Sequence, residues 1–184
     1  MKGGTGVKIL IVFYSRTGVT KSAASLLSSE LKTLAGDSAF VETEEIVDLK
    51  DRSGILGWIG AGRDALSKTD AQIRPLKAKV EDFDLVVVGT PVWAYTAAPA
   101  VRTFCERYGR SAKAVGFLCT MGGSGDRGAF DAMEKACGKK PGACLPLVVK
   151  PGKSESMEAF RPKMRRFAEQ LLRTVSPNGE GRAR

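Results

Sequence analysis

The 184-residue chain contains no histidine. No Ser-His-Asp or Cys-His arrangement can be assembled from it, which excludes hydrolysis by such a triad. It also lacks the one side chain whose ordinary pKa lies near neutrality, so chemistry carried by a cofactor suits it better than chemistry carried by its own bases. Cysteine is sparse. The four are Cys105, Cys119, Cys137 and Cys144, and no two form a C-x-x-C. Zinc ligation and thioredoxin-type redox chemistry are therefore disfavoured. Cys119 falls in an expected buried strand and Cys144 begins another, so inert core thiols are expected, in keeping with a reducing cytoplasm. No apolar run is long enough to span a bilayer, so no transmembrane segment is expected. The opening MKGGTGVK has no apolar signal region, so export is not expected and a cytoplasmic location is. Two phosphate-binding fingerprints are missing as well. There is no G-x-x-x-x-G-K-[ST] and no G-x-G-x-x-G after the first apolar run, which disfavours a P-loop nucleotide hydrolase and a dinucleotide-binding turn.

What is present begins at residues 8–21, KILIVFYSRTGVTK. Residues 9–13 are an unbroken apolar run, the mark of a strand buried on both faces. Ser15, Arg16, Thr17, Gly18, Val19 and Thr20 follow, and a helical pattern starts there. A buried strand, a hydroxyl-rich turn with a glycine, and a helix N-terminus together form a phosphate cradle. The first-turn amides converge on one spot, the helix dipole favours an anion there, and the hydroxyls add donors. A plain capped turn would need only one hydroxyl. Three within six residues, without a carboxylate, exceed that need.

The rest of the chain alternates. Strands are expected over 8–13, 39–46, 85–89, 114–120 and 145–150. Helices are expected over 18–34, from 99, over 127–137 and over 155–175. One more amphipathic helix is suggested by Ile55, Leu56, Trp58, Ile59, Ala65 and Leu66. The expected fold class is therefore α/β, a five-stranded parallel sheet covered by helices on both faces. A single domain is expected over 1–184, with its core at about 7–175 and a frayed tail over 176–184. Ligands of such sheets bind at the carboxyl ends of strands. Loops carrying chemistry follow the first, third and fourth expected strands, all at that edge.

YSRTGVTKSAA, directly after the first strand, resembles the FMN-phosphate loop of the flavodoxin family, whose pattern is S/T-x-T-G-x-T. Ser15, Thr17, Gly18 and Thr20 fall on it. LVVVGTPVWAYTAAPAVRTF, residues 85–104, resembles the family's aromatic-bearing loop against the isoalloxazine ring. GFLCTMGGSGDRGAF, residues 116–130, resembles its glycine-rich loop along the flavin's polar edge. The resemblance covers roughly residues 8–149. It implies a three-layer α/β/α sandwich with strand order 2-1-3-4-5, and FMN as cofactor. On it, the cofactor-binding residues are Ser15, Arg16, Thr17, Gly18, Val19 and Thr20 at the phosphate. Pro91, Val92, Trp93, Ala94 and Tyr95 lie at the ring. Thr120, Met121, Gly122, Gly123 and Gly125 lie at the polar edge.

Several roles stay open at this level. Arg16 either meets the phosphate or faces solvent or a partner, since the family binds the phosphate mostly with neutral donors. Trp93 either stacks on the flavin, worth about 0.5–1.5 kcal/mol beyond area, or packs below its loop. Tyr95 is the second ring candidate. Trp58 is expected in the core, with the flavin entrance as the other possibility.

The net charge is +9, a departure from the acidic carriers typical of the family. Arg161, Lys163, Arg165, Arg166 and Arg173 crowd the last expected helix. A solvated face is the plainer reading. Attraction to an acidic partner, to a phosphate-bearing substrate such as NADPH, or to an anionic membrane surface is the functional one. No nucleic-acid motif accompanies the charge, so nucleic acid is not an expected partner. The expected function is FMN-borne redox chemistry: electron transfer to a redox partner protein, or reduction of a small-molecule acceptor. An NAD(P)H-dependent quinone or flavin reductase is the alternative. From another class, a non-redox scaffold that has lost FMN is opposed by the intact hydroxyl pattern.

Overall fold

The computed structural model describes residues 6–49, 71–150 and 156–175. The expected helix around Trp58 and the tail from Ser176 lie outside the described residues.

Strand β1 is Val7–Phe13 and β2 is Ala39–Glu45. Strand β3 is Leu85–Trp93, β4 is Thr96–Ala97, β5 is Val115–Met121 and β6 is Cys144–Val148. The sheet runs β2-β1-β3-β5-β6, all parallel, with β4 antiparallel to β3. The five parallel strands stand in the order expected from the family resemblance. The sixth, β4, was not expected, and the expected third strand is four residues longer than its apolar run. Thr90-Pro91 looks like a strand end in sequence. In the structure Pro91 still stands opposite Thr120 of β5, and the chain then turns into the short β3–β4 pair.

The unbroken apolar runs have a simple cause. Their alternate residues feed two different cores. Leu10, Val12, Val86, Val88, Val115 and Phe117 face one side. There they meet Val101, Phe104 and Cys105 of α2 (Pro99–Tyr108) and Ala129, Met133 and Cys137 of α3 (Asp126–Cys137). Ile9, Ile11, Leu85, Val87 and Leu118 face the other side. There they meet Leu27 and Leu31 of α1 (Val19–Ala35) and Met164, Phe167, Ala168 and Leu171 of α4 (Arg161–Val175). Each large side chain so buried stabilises the fold by about 1.5–3 kcal/mol.

The last helix begins later than expected. Met157–Phe160 forms a 3-10 turn, and α4 starts at Arg161. Pro162 explains the break, because proline is accommodated in the first turn of an α-helix and not in its interior. Arg161 ties this junction to α1. Its guanidinium binds the Glu30 carboxylate, which is buried, and donates to Glu158 at 2.7 and 2.9 Å. Arg161 is thus committed to structure. Lys163, Arg165, Arg166 and Arg173 are exposed, and Arg165 pairs with Glu169 at 3.7 Å.

Cys119 is buried as expected, and Cys105 and Cys137 are buried as well. Burial pushes the Cys119 thiol up to about 12. Cys144 is a correction to the expected core thiols, because it is exposed. It stands on β6, an edge strand of the sheet among the described residues, where Leu145 and Leu147 enter the core while Cys144, Pro146 and Val148 point away. No helix among the described residues is long and apolar enough to cross a membrane.

Candidate functional site

The sheet register brings the carboxyl ends of the strands to one edge. Phe13 is opposite Glu45 and Gly89, Pro91 is opposite Thr120, and Met121 is opposite Val148. Three loops leave this edge, at 14–18, 94–95 and 122–125.

The first loop ends in an uncapped helix. The N-cap of α1 is Gly18, at φ +86°, which has no side chain to offer the helix. The first helical bond of this turn is Ser22 N–H to Gly18 O at 2.9 Å. The amides of residues 19–21 therefore have no acceptor within the helix. No acidic residue sits in that first turn, so no carboxylate of the turn itself opposes an anion at the positive end of the dipole. Beside it, the Ser15 hydroxyl oxygen is buried and has no hydrogen-bond partner among the described residues. A buried hydroxyl left unpaired is costly unless something fills the site. Arg16 and Thr17 are exposed. Lys21 is engaged, with Nζ 3.1 Å from Glu45 Oε2.

Thr20 is placed differently from its neighbours. It is 1 % exposed, and its Oγ1 lies 2.9 Å from Thr120 Oγ1. This bond joins the first turn of α1 to the end of β5, so two residues expected at opposite ends of the ligand meet each other.

The second loop is the tip of the β3–β4 hairpin. Ala94 and Tyr95 have φ of +46° and +63°. Both central residues at positive φ give the turn whose twist suits a two-residue hairpin, a place usually taken by Asn or Gly. Holding two residues with side chains there is strained. The hairpin is closed from below by Thr90, fully buried, whose Oγ1 accepts from the Ala98 amide at 3.0 Å and donates to Pro91 O at 2.9 Å. Tyr95 is 71 % exposed at the tip. Trp93 is half-buried and leans on the α2–α3 core.

Trp93 also joins the first two loops. The Tyr14 ring meets it edge-on, with centroids 5.6 Å apart and planes at 87°. The Arg16 guanidinium carbon stands over its ring, 5.5 Å from the centroid. The third loop closes on the second. Gly125, at φ +114°, is the N-cap of α3, and a Cβ there would lie 2.8 Å from Val92 Cγ1 and 3.0 Å from the Tyr95 Cα. Only glycine fits both that conformation and that space. Met121 is buried, while Gly122 and Gly123 are exposed at the rim.

The structure therefore gathers the three loops into one place, each touching the next. Sequence reasoning missed two contributors, Tyr14 and Thr90. Tyr14 ends the first apolar run and could have been found as an aromatic at a strand's carboxyl end. Thr90 carries no signal beyond its position before a proline.

The sequence profile of the family described as Flavodoxin matches residues 8–170. Comparison with curated proteins by sequence gives no match. Among solved structures, the chain is similar to a flavoprotein in complex with FMN from Lactobacillus acidophilus NCFM. The two are 21% identical, the match covers 77% of this chain and 93% of that one, and the TM-score is 0.64. It is also similar to the two-electron reduced flavodoxin of Megasphaera elsdenii, at 19% identity, 89% and 97% coverage and a TM-score of 0.55. A third similar structure is the rubredoxin oxygen:oxidoreductase of Desulfovibrio gigas, at 16% identity and a TM-score of 0.59. There the match covers 93% of this chain and 37% of the larger protein.

Proposed function

The chain belongs to the flavodoxin family, and on that footing we propose that it is an FMN-binding redox protein working by electron transfer or by reduction of a small acceptor. The single observation that carries the reading is the buried, unpartnered Ser15 hydroxyl beside the uncapped N-terminus of α1. A phosphate monoester supplies the missing acceptors for that hydroxyl and for the amides of residues 19–21. Thr17, on the exposed side of the same loop, adds a donor. The Trp93–Tyr95 hairpin offers apolar ring surface, and the loop over 122–125 offers backbone amides to polar ring atoms. When bound, FMN supplies the redox chemistry. The protein's residues bind and orient it, exclude water from one side and set the charge around it.

The test is direct. Protein purified from its producing cells should be yellow and release a flavin on denaturation. Mass spectrometry of that flavin should give FMN, because the site has one phosphate cradle. A dominant FAD signal or a colourless protein that binds no added FMN overturns the reading. Tryptophan emission should fall as FMN is titrated in, if Trp93 meets the ring.

A second reading, an NAD(P)H-dependent quinone or flavin reductase, draws support from the net charge of +9, which attracts a phosphate-bearing reductant. Anaerobic mixing with NADH or NADPH separates the two. Rapid bleaching of the flavin marks the reductase, and no bleaching marks the carrier.

A further inference from the structure

Arg16 is a charged side chain of the phosphate loop that reaches the ring loop. It lies between Ser15 and Gly18 in the phosphate loop, yet its guanidinium stands over the Trp93 ring in the other loop, 5.5 Å from the centroid. The Tyr14 ring packs against Trp93 nearly perpendicular to it, and Arg16 occupies part of the Trp93 face. A flat ligand that stacks on Trp93 must contend with that guanidinium. A phosphate at the N-terminus of α1 would offer the same guanidinium a better partner. An exposed cation–π contact is weak, whereas a guanidinium binding a phosphate through two parallel N–H groups is among the stronger polar contacts.

We propose that Arg16 determines specificity at this site by covering the Trp93 ring until a phosphate monoester draws it away. The inference rests on the flavin reading above. Its consequence is a linkage between the two loops. Phosphate binding uncovers the ring platform, so a flavin carrying a phosphate opens its own site. Riboflavin has nothing with which to move Arg16 and meets a covered ring. Discrimination then has an attractive part, the ion pair with phosphate, and an opposing part, the contact that a ligand without phosphate must break.

The experiment uses the full chain with its flavin removed, as wild type, Arg16→Gln and Arg16→Lys, each titrated with FMN and with riboflavin. Arg16→Gln should weaken FMN binding by about tenfold, the loss of one charge-assisted pair, and should leave riboflavin binding equal or tighter. The FMN-to-riboflavin preference therefore collapses. Arg16→Lys keeps the charge without the planar fork and should recover part of it. A second readout uses inorganic phosphate alone, in a Trp58→Phe background so that Trp93 is the sole tryptophan. Phosphate should change Trp93 emission saturably in the wild-type loop and not in Arg16→Gln. A wild-type protein that binds neither flavin overturns the flavin reading itself. Wild type that binds FMN, with Arg16→Gln weakening both flavins equally or neither, overturns only the role of Arg16, as does Trp93 emission indifferent to phosphate.

Discussion

Thr20 and Thr120, one hundred residues apart in sequence, share a buried hydrogen bond of 2.9 Å between their hydroxyl oxygens. The bond crosses from the first turn of α1 to the last residues of β5. Removing one hydroxyl strands the other in a buried place, and removing both strands nothing. Thr20→Val should therefore destabilise the protein by about 1–2 kcal/mol, and Thr20→Val with Thr120→Val should come back close to wild type. Denaturant unfolding of the two single variants and the double variant checks this. Additive losses would show that the two hydroxyls do not depend on each other.

Ser15 should behave in the opposite way. Its hydroxyl oxygen is buried and unpaired among the described residues, so in the flavin-free protein Ser15→Ala should be neutral or stabilising by up to about 1 kcal/mol. The same change should weaken FMN binding by about 1–2 kcal/mol through the lost bond to a charged group. Opposite signs in a thermal melt without flavin and in a flavin titration identify a residue kept for its ligand. Equal losses in both would make Ser15 a packing residue.

Much of this was legible in the sequence, and the parts that were not share a cause. The run Ile9–Ile11–Phe13 interleaved with Leu10 and Val12 shows itself as a strand because both faces are buried. The positions of α1 and α3 show because their buried residues recur at helical spacing. What could not be read depends on contacts distant in sequence. Nothing around Thr20 says that its hydroxyl will meet Thr120. Nothing in Trp93-Ala94-Tyr95-Thr96 announces a turn at positive φ, since the usual glycine or asparagine is absent. That turn is held by Thr90 beneath it and by Gly125 against it. Cys144 was misplaced for a related reason. A strand's composition does not reveal that it will be the outermost one, with a single face covered.

The Glu30–Arg161 pair makes a third test. Glu30 is buried, one of its carboxylate oxygens has no partner among the described residues, and Arg161 is half-exposed. Arg161→Ala should lower the urea midpoint by leaving the buried Glu30 carboxylate without its partner, though by less than the loss of a fully buried pair because Arg161 retains solvent contact. Arg161→Ala with Glu30→Leu should recover most of the loss by removing the abandoned charge. Urea midpoints of the two proteins decide it. No recovery in the double variant would show that Arg161 acts through its own packing.

Asp84 predicts a pH effect. The Lys8 amide at 2.9 Å, and then Lys113 Nζ at 2.9 Å, hold its carboxyl below the usual carboxylate range. A carboxyl lowered in the folded state stabilises it at every pH above the unfolded value, and that contribution disappears as pH falls through the folded value. Asp84→Ala should therefore cost about 1 kcal/mol near neutrality and progressively less in acid. Melting temperatures of both proteins across the acid range should converge. A constant gap would assign the loss to shape rather than charge.

Strand β6, an edge of the sheet among the described residues, has a consequence for how this protein behaves in a crowd. Val149 N–H donates inward to Met121 O on β5, so by the two-residue period of a strand the nitrogen of Pro146 points outward. The middle of that outer rim thus offers no amide hydrogen to a passing strand. A second molecule approaching edge to edge finds a gap where the ladder should continue. Pro146 should therefore hinder edge-to-edge stacking. Replacing it with valine would leave each molecule's own interior almost unaltered while inviting its neighbours to join on.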